Sequence, residues 1–217
     1  MSKRQIAVIG LGSFGLAIAR ELSELGERVT GIDNDSNLIA STEEYLSVAI
    51  CGDASNPAVL SDCSIRNFDL VVVSIGENTE ASLLAAMNVL DSGAPEVWVK
   101  AQNATHARIL EAIGVHRIVQ PESAYGKKLA HEIRNQGLTG SMPLHHGMAT
   151  GLFAIDKDLT GDQLLRRFAK RDVEYKPLLI FRDSGAVDAF APDCEIGSND
   201  LVLIHGTMDS LKTANDS

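Results

Sequence analysis

Gly10, Gly12 and Gly15 form a G-x-G-x-x-G run directly after the apolar stretch Ile6-Ala7-Val8-Ile9. Ile32-Asp33 follows at roughly the twenty-residue distance that separates such a turn from an acid on the next strand. Gly10 permits a sharp strand-to-helix turn, Gly12 lets the backbone approach a pyrophosphate, and Gly15 lets the helix pack on the strand. Phe14 then opens the helix, whose N-terminal backbone amides face an anion. Asp33, at the end of the second strand and followed by Asn34, is placed to accept hydrogen bonds from both hydroxyls of an adenosine ribose and would repel a 2′-phosphate. These residues predict a dinucleotide or adenine-nucleotide site. The competing reading is that the glycines serve packing alone.

Further polar positions fall at the ends of later strands, on the edge where doubly wound sheets bind ligands. In Gly52-Asp53-Ala54-Ser55-Asn56, Asp53 either reaches an adenine amino group or, with Ser55, caps the next helix. In Ser74-Ile75-Gly76-Glu77-Asn78, Gly76 allows close backbone approach and Asn78 suits a helix cap. Lys100 ends the fifth strand and could pair with a phosphate. Glu122 follows the sixth strand; it either meets a phosphate through a cation or simply favours the N-terminus of its own helix. His145 and His146, beside Met142 and Met148, read as part of a linker rather than a metal site. Arg166, Arg167, Lys170 and Arg171 read as a solvated helix face.

These positions need a scaffold that brings strand ends together. Alternating patterns predict strands at 5–9, 28–32, 46–51, 70–74, 96–101 and 117–119, with helices at 14–25, 34–44, 56–63, 78–92, 103–113 and about 123–135. The continuous β-branched run Leu70-Val71-Val72-Val73 predicts a strand covered on both faces. The fold class is therefore α/β: a Rossmann-like doubly wound parallel sheet of six strands, followed by a small α+β C-terminal domain. Gly137, Gly140, Pro143, Gly147 and Gly151 predict a linker over 139–150, dividing a nucleotide-binding domain at 1–138 from a small domain at 151–217. The latter is predicted to hold strands at 151–155, 178–182 and 201–205 and a helix at 160–170.

A chain of 217 residues with 45% hydrophobic composition can fill two cores. Its formal net charge of −10 argues against a nucleic-acid backbone as partner and is compatible with a basic protein surface. Cys51, Cys63 and Cys194 are odd in number and lack C-x-x-C spacing, which predicts reduced, small apolar fillers in a cytosolic protein. No apolar run reaches the roughly twenty residues that span a bilayer, and no signal-peptide pattern precedes the first strand, so a soluble cytoplasmic protein is expected. A dehydrogenase needs an acid or base near the hydride, usually from a domain closing over the nicotinamide. The sequence offers no such domain, no Walker lysine and no Ser-His-Asp order.

The succession Val8-Ile9-Gly10-Leu11-Gly12-Ser13-Phe14-Gly15, Asp33-Asn34-Asp35, Gly52-Asp53-Ala54-Ser55, Ile75-Gly76-Glu77-Asn78, Val99-Lys100-Ala101 and Gln120-Pro121-Glu122 resembles the RCK (KTN) domain of Ktr/Trk-type potassium-uptake regulatory subunits. Residues from about 150 to 207 resemble the small RCK C-terminal domain, with looser motifs. The resemblance implies a non-enzymatic cytosolic regulator, peripheral on the cytoplasmic face of the membrane. It further implies a dimer joined through the helix near 123–135, assembled into an octameric ring under a membrane subunit that translocates potassium or sodium. It implies ATP, ADP or NAD(H) as ligand, with Gly10, Gly12 and Gly15 at the phosphates, Asp33 on the ribose, Asp53 by the adenine and Lys100 on the phosphate side. Ser13, Phe14, Asn34, Ala54, Ile75, Gly76 and Asn78 complete the expected site. Glu122 would approach the phosphates through a cation such as Mg²⁺. Some members bind cyclic di-AMP in the C-terminal domain, but no residue pattern assigns it here. Ser13 stands where many relatives carry a basic residue, so strong discrimination of ATP over ADP is not implied. An NAD(H)-dependent oxidoreductase or redox sensor on the same fold, or a regulator of another ion transporter, remain the alternatives.

Overall fold

The structure, a computed structural model, describes residues 3–42, 44–134, 138–169 and 176–207. It divides into two compact units, Met1–Pro121 and Glu122–Ser217.

The first unit alternates β1 (Gln5–Ile9), α1 (Ser13–Glu24), β2 (Arg28–Asp33), α2 (Ser36–Thr42), β3 (Val48–Cys51), α3 (Pro57–Asp62), β4 (Leu70–Val73), α4 (Thr79–Asp91), β5 (Val97–Lys100), α5 (Ala104–Ala112) and β6 (Arg117–Val119). All pairings are parallel, in the order β3-β2-β1-β4-β5-β6. The order reverses between β1 and β4, where ligands of such sheets sit. Successive residues of the central strands enter opposite cores, as the two-residue side-chain period requires. Ala7, Ile9, Val71 and Val73 join a cluster with Leu110 and Ala85, while Ile6, Val8, Leu70 and Val72 join another with Leu11 and Val29. Ile9 pairs with Ile32 on one side and Val73 on the other, so these strands end together at one rim.

Three asparagines start the helices leaving that rim. Asn56, Asn78 and Asn103 accept hydrogen bonds from the Ala58, Ala81 and His106 amides at 3.0, 3.0 and 2.9 Å. Each satisfies one orphan donor at a helix N-terminus.

The second unit begins with α6 (Pro121–Arg134), which the sequence reading assigned to the first domain. It continues through β7 (Leu138–Pro143), β8 (Met148–Ala154), β9 (Leu159–Thr160), α7 (Gly161–Ala169), β10 (Lys176–Phe181), β11 (Val187–Ala189), β12 (Glu195–Ile196) and β13 (Leu201–Thr207). Its main sheet runs β11-β10-β13-β8-β7 and is antiparallel, and β9 pairs with β12. Phe153, Ile180, Val202 and Ile204 of this sheet and Leu164 and Phe168 of α7 form its core.

The linker expected over 139–150 is instead a hairpin. β7 pairs with β8, and a 3₁₀ turn, His145–Gly147, joins them with the Leu144 amide bonded to the Met148 carbonyl at 2.7 Å. The glycines read as breakers mark a register shift between Thr139 and Met142, where Gly140 has φ +61, and the turn, where Gly147 has φ +73. Positive φ at a bulge or hairpin turn is where glycine is least costly.

Cys63 and Cys194 pack against the cores as expected, whereas Cys51 is exposed. Arg167 departs from the solvated-face reading: it pairs with Asp156 at 3.3 Å and lies 5.6 Å from the centre of the Phe153 ring. Lys170 and Arg171 lie outside the described residues.

Candidate functional site

The rim of the parallel sheet encloses a cavity of about 610 Å³. Every first-unit residue that the sequence placed in the expected nucleotide site lines it except Gly15: Gly10, Gly12, Ser13 and Phe14 from the glycine turn, Asp33 and Asn34 at the end of β2, Asp53 and Ala54 after β3, Ile75, Gly76 and Asn78 after β4, and Lys100 at the end of β5. Glu122 belongs to the second unit, in the exposed first turn of α6, and stands outside this set. Among the described residues no group of three or more His, Cys, Asp or Glu could hold a metal ion.

The glycine turn is held by its neighbours. Gly10 has φ +88, its amide donates to the Ile32 carbonyl at 2.8 Å, and a Cβ there would lie 2.9 Å from the Ser74 carbonyl carbon. A Cβ on Gly15 would run into the Gly10 carbonyl oxygen, so Gly15 permits the helix to close on the turn rather than facing the cavity. Gly12 differs, with φ −61 and nothing within 4 Å of a would-be Cβ. Gly12 is the N-cap of α1, without a side-chain cap, and no acid stands in the first turn. The leading amides of α1 therefore carry the partial positive charge of a helix N-terminus with no side chain neutralising it. This is a ready anion site at the head of a twelve-residue helix.

Asp33 does two things at once. Its Oδ2 accepts the Leu11 amide at 2.5 Å and its Oδ1 the Asp35 amide at 2.9 Å. Each oxygen keeps a lone pair for a further donor. Asp53 is held by Ser55: hydrogen bonds from its side chain and from its amide, the latter at 2.9 Å, lower the carboxyl below its ordinary range. Asp53 thus remains an anionic acceptor beside the cavity, while Asn56 caps α3, which the sequence left between Asp53 and Ser55. Lys100 Nζ lies 5.5 Å from the centre of the Phe14 ring, a cation–π distance that brings the ammonium toward the glycine turn.

Ser74, Glu77, Asp35 and Leu38 also line the cavity and were not singled out as ligand residues. Ser74 is 5% exposed, and its buried Oγ has no hydrogen-bond partner among the described residues. It lies 3.1 Å from where a Gly15 Cβ would be, so an unpaired hydroxyl sits beneath the turn. Its place in the run Ser74-Ile75-Gly76 was the available signal. Leu38 gave none, since an apolar residue at helical spacing reads as core.

A doubly wound sheet, an uncapped glycine turn at the strand reversal and an acid ending β2 define a nucleotide-binding type of α/β protein. The chain belongs to the TrkA-N domain family, which residues 6–121 match. It is 32% identical over 212 residues to Ktr system potassium uptake protein A of Vibrio alginolyticus, covering 96% of this chain and 94% of that protein. It is 36% identical over 163 residues to Ktr system potassium uptake protein C of Bacillus subtilis, covering 75% and 74%. The expected resemblance to RCK regulatory subunits is thereby borne out. Among solved structures, the GsuK RCK domain superposes with a TM-score of 0.66 over 97% of this chain and 46% of that one, at 11% identity. The GsuK channel bound to NAD superposes with a TM-score of 0.64 over 97% and 38%, also at 11% identity. At this identity the likeness is one of fold, and it covers both units.

Proposed function

We propose that this chain is the nucleotide-binding regulatory subunit of a potassium-uptake system and that the cavity at the β1–β4 reversal is its nucleotide site. One observation carries the reading: an uncapped glycine turn and Asp33 face one cavity in a chain aligned nearly end to end with a Ktr potassium uptake protein. The amides of α1 and Lys100 take the phosphates, Asp33 takes the ribose hydroxyls, and Asp53, Ala54 and Asn34 take the adenine side. ATP, ADP and NAD(H) all present the adenosine diphosphate moiety that these groups recognise. Mg²⁺ at the phosphates belongs to the same proposal.

Binding here acts by shifting an equilibrium between arrangements of an oligomer, so a ligand that favours one arrangement changes the state of a membrane partner. Support for an oligomer comes from α6, where Tyr125, Leu129 and Ile133 recur at four-residue spacing with exposures of 61, 42 and 69%. Such a stripe is what a second copy would cover in a dimer, and an octameric ring extends it. No described helix is long and apolar enough to cross a membrane. Peripheral attachment on the cytoplasmic side of a translocating subunit is therefore proposed, and the C-terminal unit is assigned no ligand.

Calorimetric titration of the purified chain with ATP, ADP, NAD⁺ and NADH, with and without Mg²⁺, tests the site. Saturable binding of one or more supports it, and absence of binding by all four overturns it. Co-purification with a potassium-translocating membrane subunit and nucleotide-dependent flux after reconstitution test the regulatory role. Steady NADH turnover without such a partner would transfer the reading to an oxidoreductase.

A further inference from the structure

Three residues outside the cavity tie two of its walls together. Thr79, at the start of α4 directly after the wall residues Gly76, Glu77 and Asn78, donates its hydroxyl to Gln102 Oε1 at 2.8 Å. Gln102 lies two residues beyond Lys100, in the loop leaving β5. Its amide donates to His106 Nδ1 at 3.3 Å, and the His106 amide in turn donates to Asn103 Oδ1 at 2.9 Å. His106 is 1% exposed, and its ring nitrogen Nδ1 holds the loop that carries Lys100.

We infer that His106 is a positioning residue for the nucleotide site: its Nδ1 accepts the Gln102 amide, Gln102 anchors Thr79, and the loops leaving β4 and β5 stay fully tied together only while that ring nitrogen is unprotonated. The inference rests on the proposed nucleotide site and adds its regulation. An imidazolium carries a proton on both nitrogens. Protonation would set an N–H on Nδ1 against the Gln102 N–H, and the loop would lose its anchor. With Nδ1 accepting, Nε2 carries the hydrogen of the neutral ring, and Nε2 is buried without a partner among the described residues. Nothing there would offset the cost of a second proton.

Burial is the one cause acting on the ring, and it lowers the imidazole below its ordinary 6.5. The charged groups on the elements around it do not contribute to that shift. Glu80 and Asp91 on α4 and Arg108 and Glu111 on α5 are exposed, and Lys100 on β5 and Arg117 on β6 likewise do not act on it. Because the folded chain favours the neutral ring, the latch stays complete through the ordinary imidazole value and is lost only as pH falls through the lower folded one.

The test is nucleotide affinity of the full chain from pH 8 down to the lowest pH at which it stays folded, with ADP as probe, for the unaltered protein and for His106→Asn, His106→Leu and Thr79→Val. Asn places an amide oxygen near the position of Nδ1 and does not titrate. The unaltered chain should lose about two- to tenfold in affinity on acidification, the worth of one neutral hydrogen bond. His106→Asn should bind ADP at pH 8 nearly as the unaltered chain does, with a flattened profile. His106→Leu and Thr79→Val should bind more weakly at every pH. Should His106→Leu fail to fold, Thr79→Val carries that arm, since it removes one hydroxyl at nearly constant shape. Equal acid sensitivity in the unaltered chain and His106→Asn, or unchanged affinity in Thr79→Val, overturns the inference while leaving the site intact. No ADP binding by the unaltered chain at pH 8 removes the site, and with it this role for His106.

Discussion

The Leu11 amide donates to Asp33 Oδ2 at 2.5 Å, so the acid ending β2 and the glycine turn after β1 are one unit. Loss of the Asp33 carboxylate therefore affects more than a ligand contact: it strips an acceptor from the Leu11 and Asp35 amides as well. Asp33→Ala should weaken adenine-nucleotide binding by about 1.5–3 kcal/mol, the range for hydrogen bonds to a charged group, and should also lower the melting temperature. Titration calorimetry and thermal denaturation read the two effects. An unchanged melting temperature would show that the amides find other partners.

Gly12 and Gly15 separate binding from folding. A Cβ on Gly15 meets the Gly10 carbonyl, whereas one on Gly12 meets nothing within 4 Å. Gly15→Ala should cost about 1–3 kcal/mol or more in stability through overpacking. Gly12→Ala should keep the fold to within about 1 kcal/mol, the scale of an N-cap change, while a methyl group between the turn and a phosphate weakens binding. Denaturant unfolding beside ADP titration distinguishes them, and equal losses in both variants would contradict the geometry.

Lys100 and Phe14 should act unequally. Lys100→Met removes the one cation that lines the cavity among the described residues and should weaken ADP binding by about 1.5–3 kcal/mol. Phe14→Leu removes only the ring that steadies it, worth about 0.5–1 kcal/mol at a solvent-accessible site. Both are read as shifts in Kd, and the Lys100 contribution should shrink as salt rises.

The second unit is predicted to be acid-labile. Asp200 is 5% exposed: burial raises its carboxyl, but the amides of Gly197 and Asp183 and the Arg182 guanidinium outweigh burial and hold it below the ordinary 3.8. Arg182 Nη1 lies 2.9 Å from Asp200 Oδ2, and the same nitrogen donates to the Glu195 carbonyl at 2.6 Å. The stabilisation is complete above pH 3.8 and is lost as pH falls through the lower folded value. Arg182→Met should cost about 2 kcal/mol, below the range for a fully buried pair because Arg182 is partly exposed. Hydrogen exchange at β10 and β13 checks both statements, and protection unchanged at pH 3 would contradict them.

Much of the first unit is written locally. The run Ile6–Ile9, the glycine spacing and Asp33 each state a conformational requirement within a few residues: a strand covered on both faces, a positive φ at Gly10, a carboxylate ending a strand. The same holds for Asn78, which caps α4 through an amide three residues away, whereas α3 is capped by Asn56 rather than by Asp53 or Ser55. The second unit is less legible because antiparallel pairing is a contact between distant segments. Gly140 and Gly147 look like linker residues until β8 supplies the ladder that turns one into a bulge and the other into a hairpin turn.

The sequence by itself determined the alternating α/β pattern, the nucleotide-type turn and the acid that answers it, since these depend on side-chain period, backbone freedom and charge. Only the tertiary structure decided that Asp33 braces the turn through Leu11, that Lys100 rests by Phe14, and that Thr79, Gln102 and His106 link the loops leaving β4 and β5. Apart from the Gln102–His106 bond, those relations join residues far apart in the chain. They arise only when parallel strands bring their ends to a single rim, a geometry set by sheet order rather than by any local run of residues.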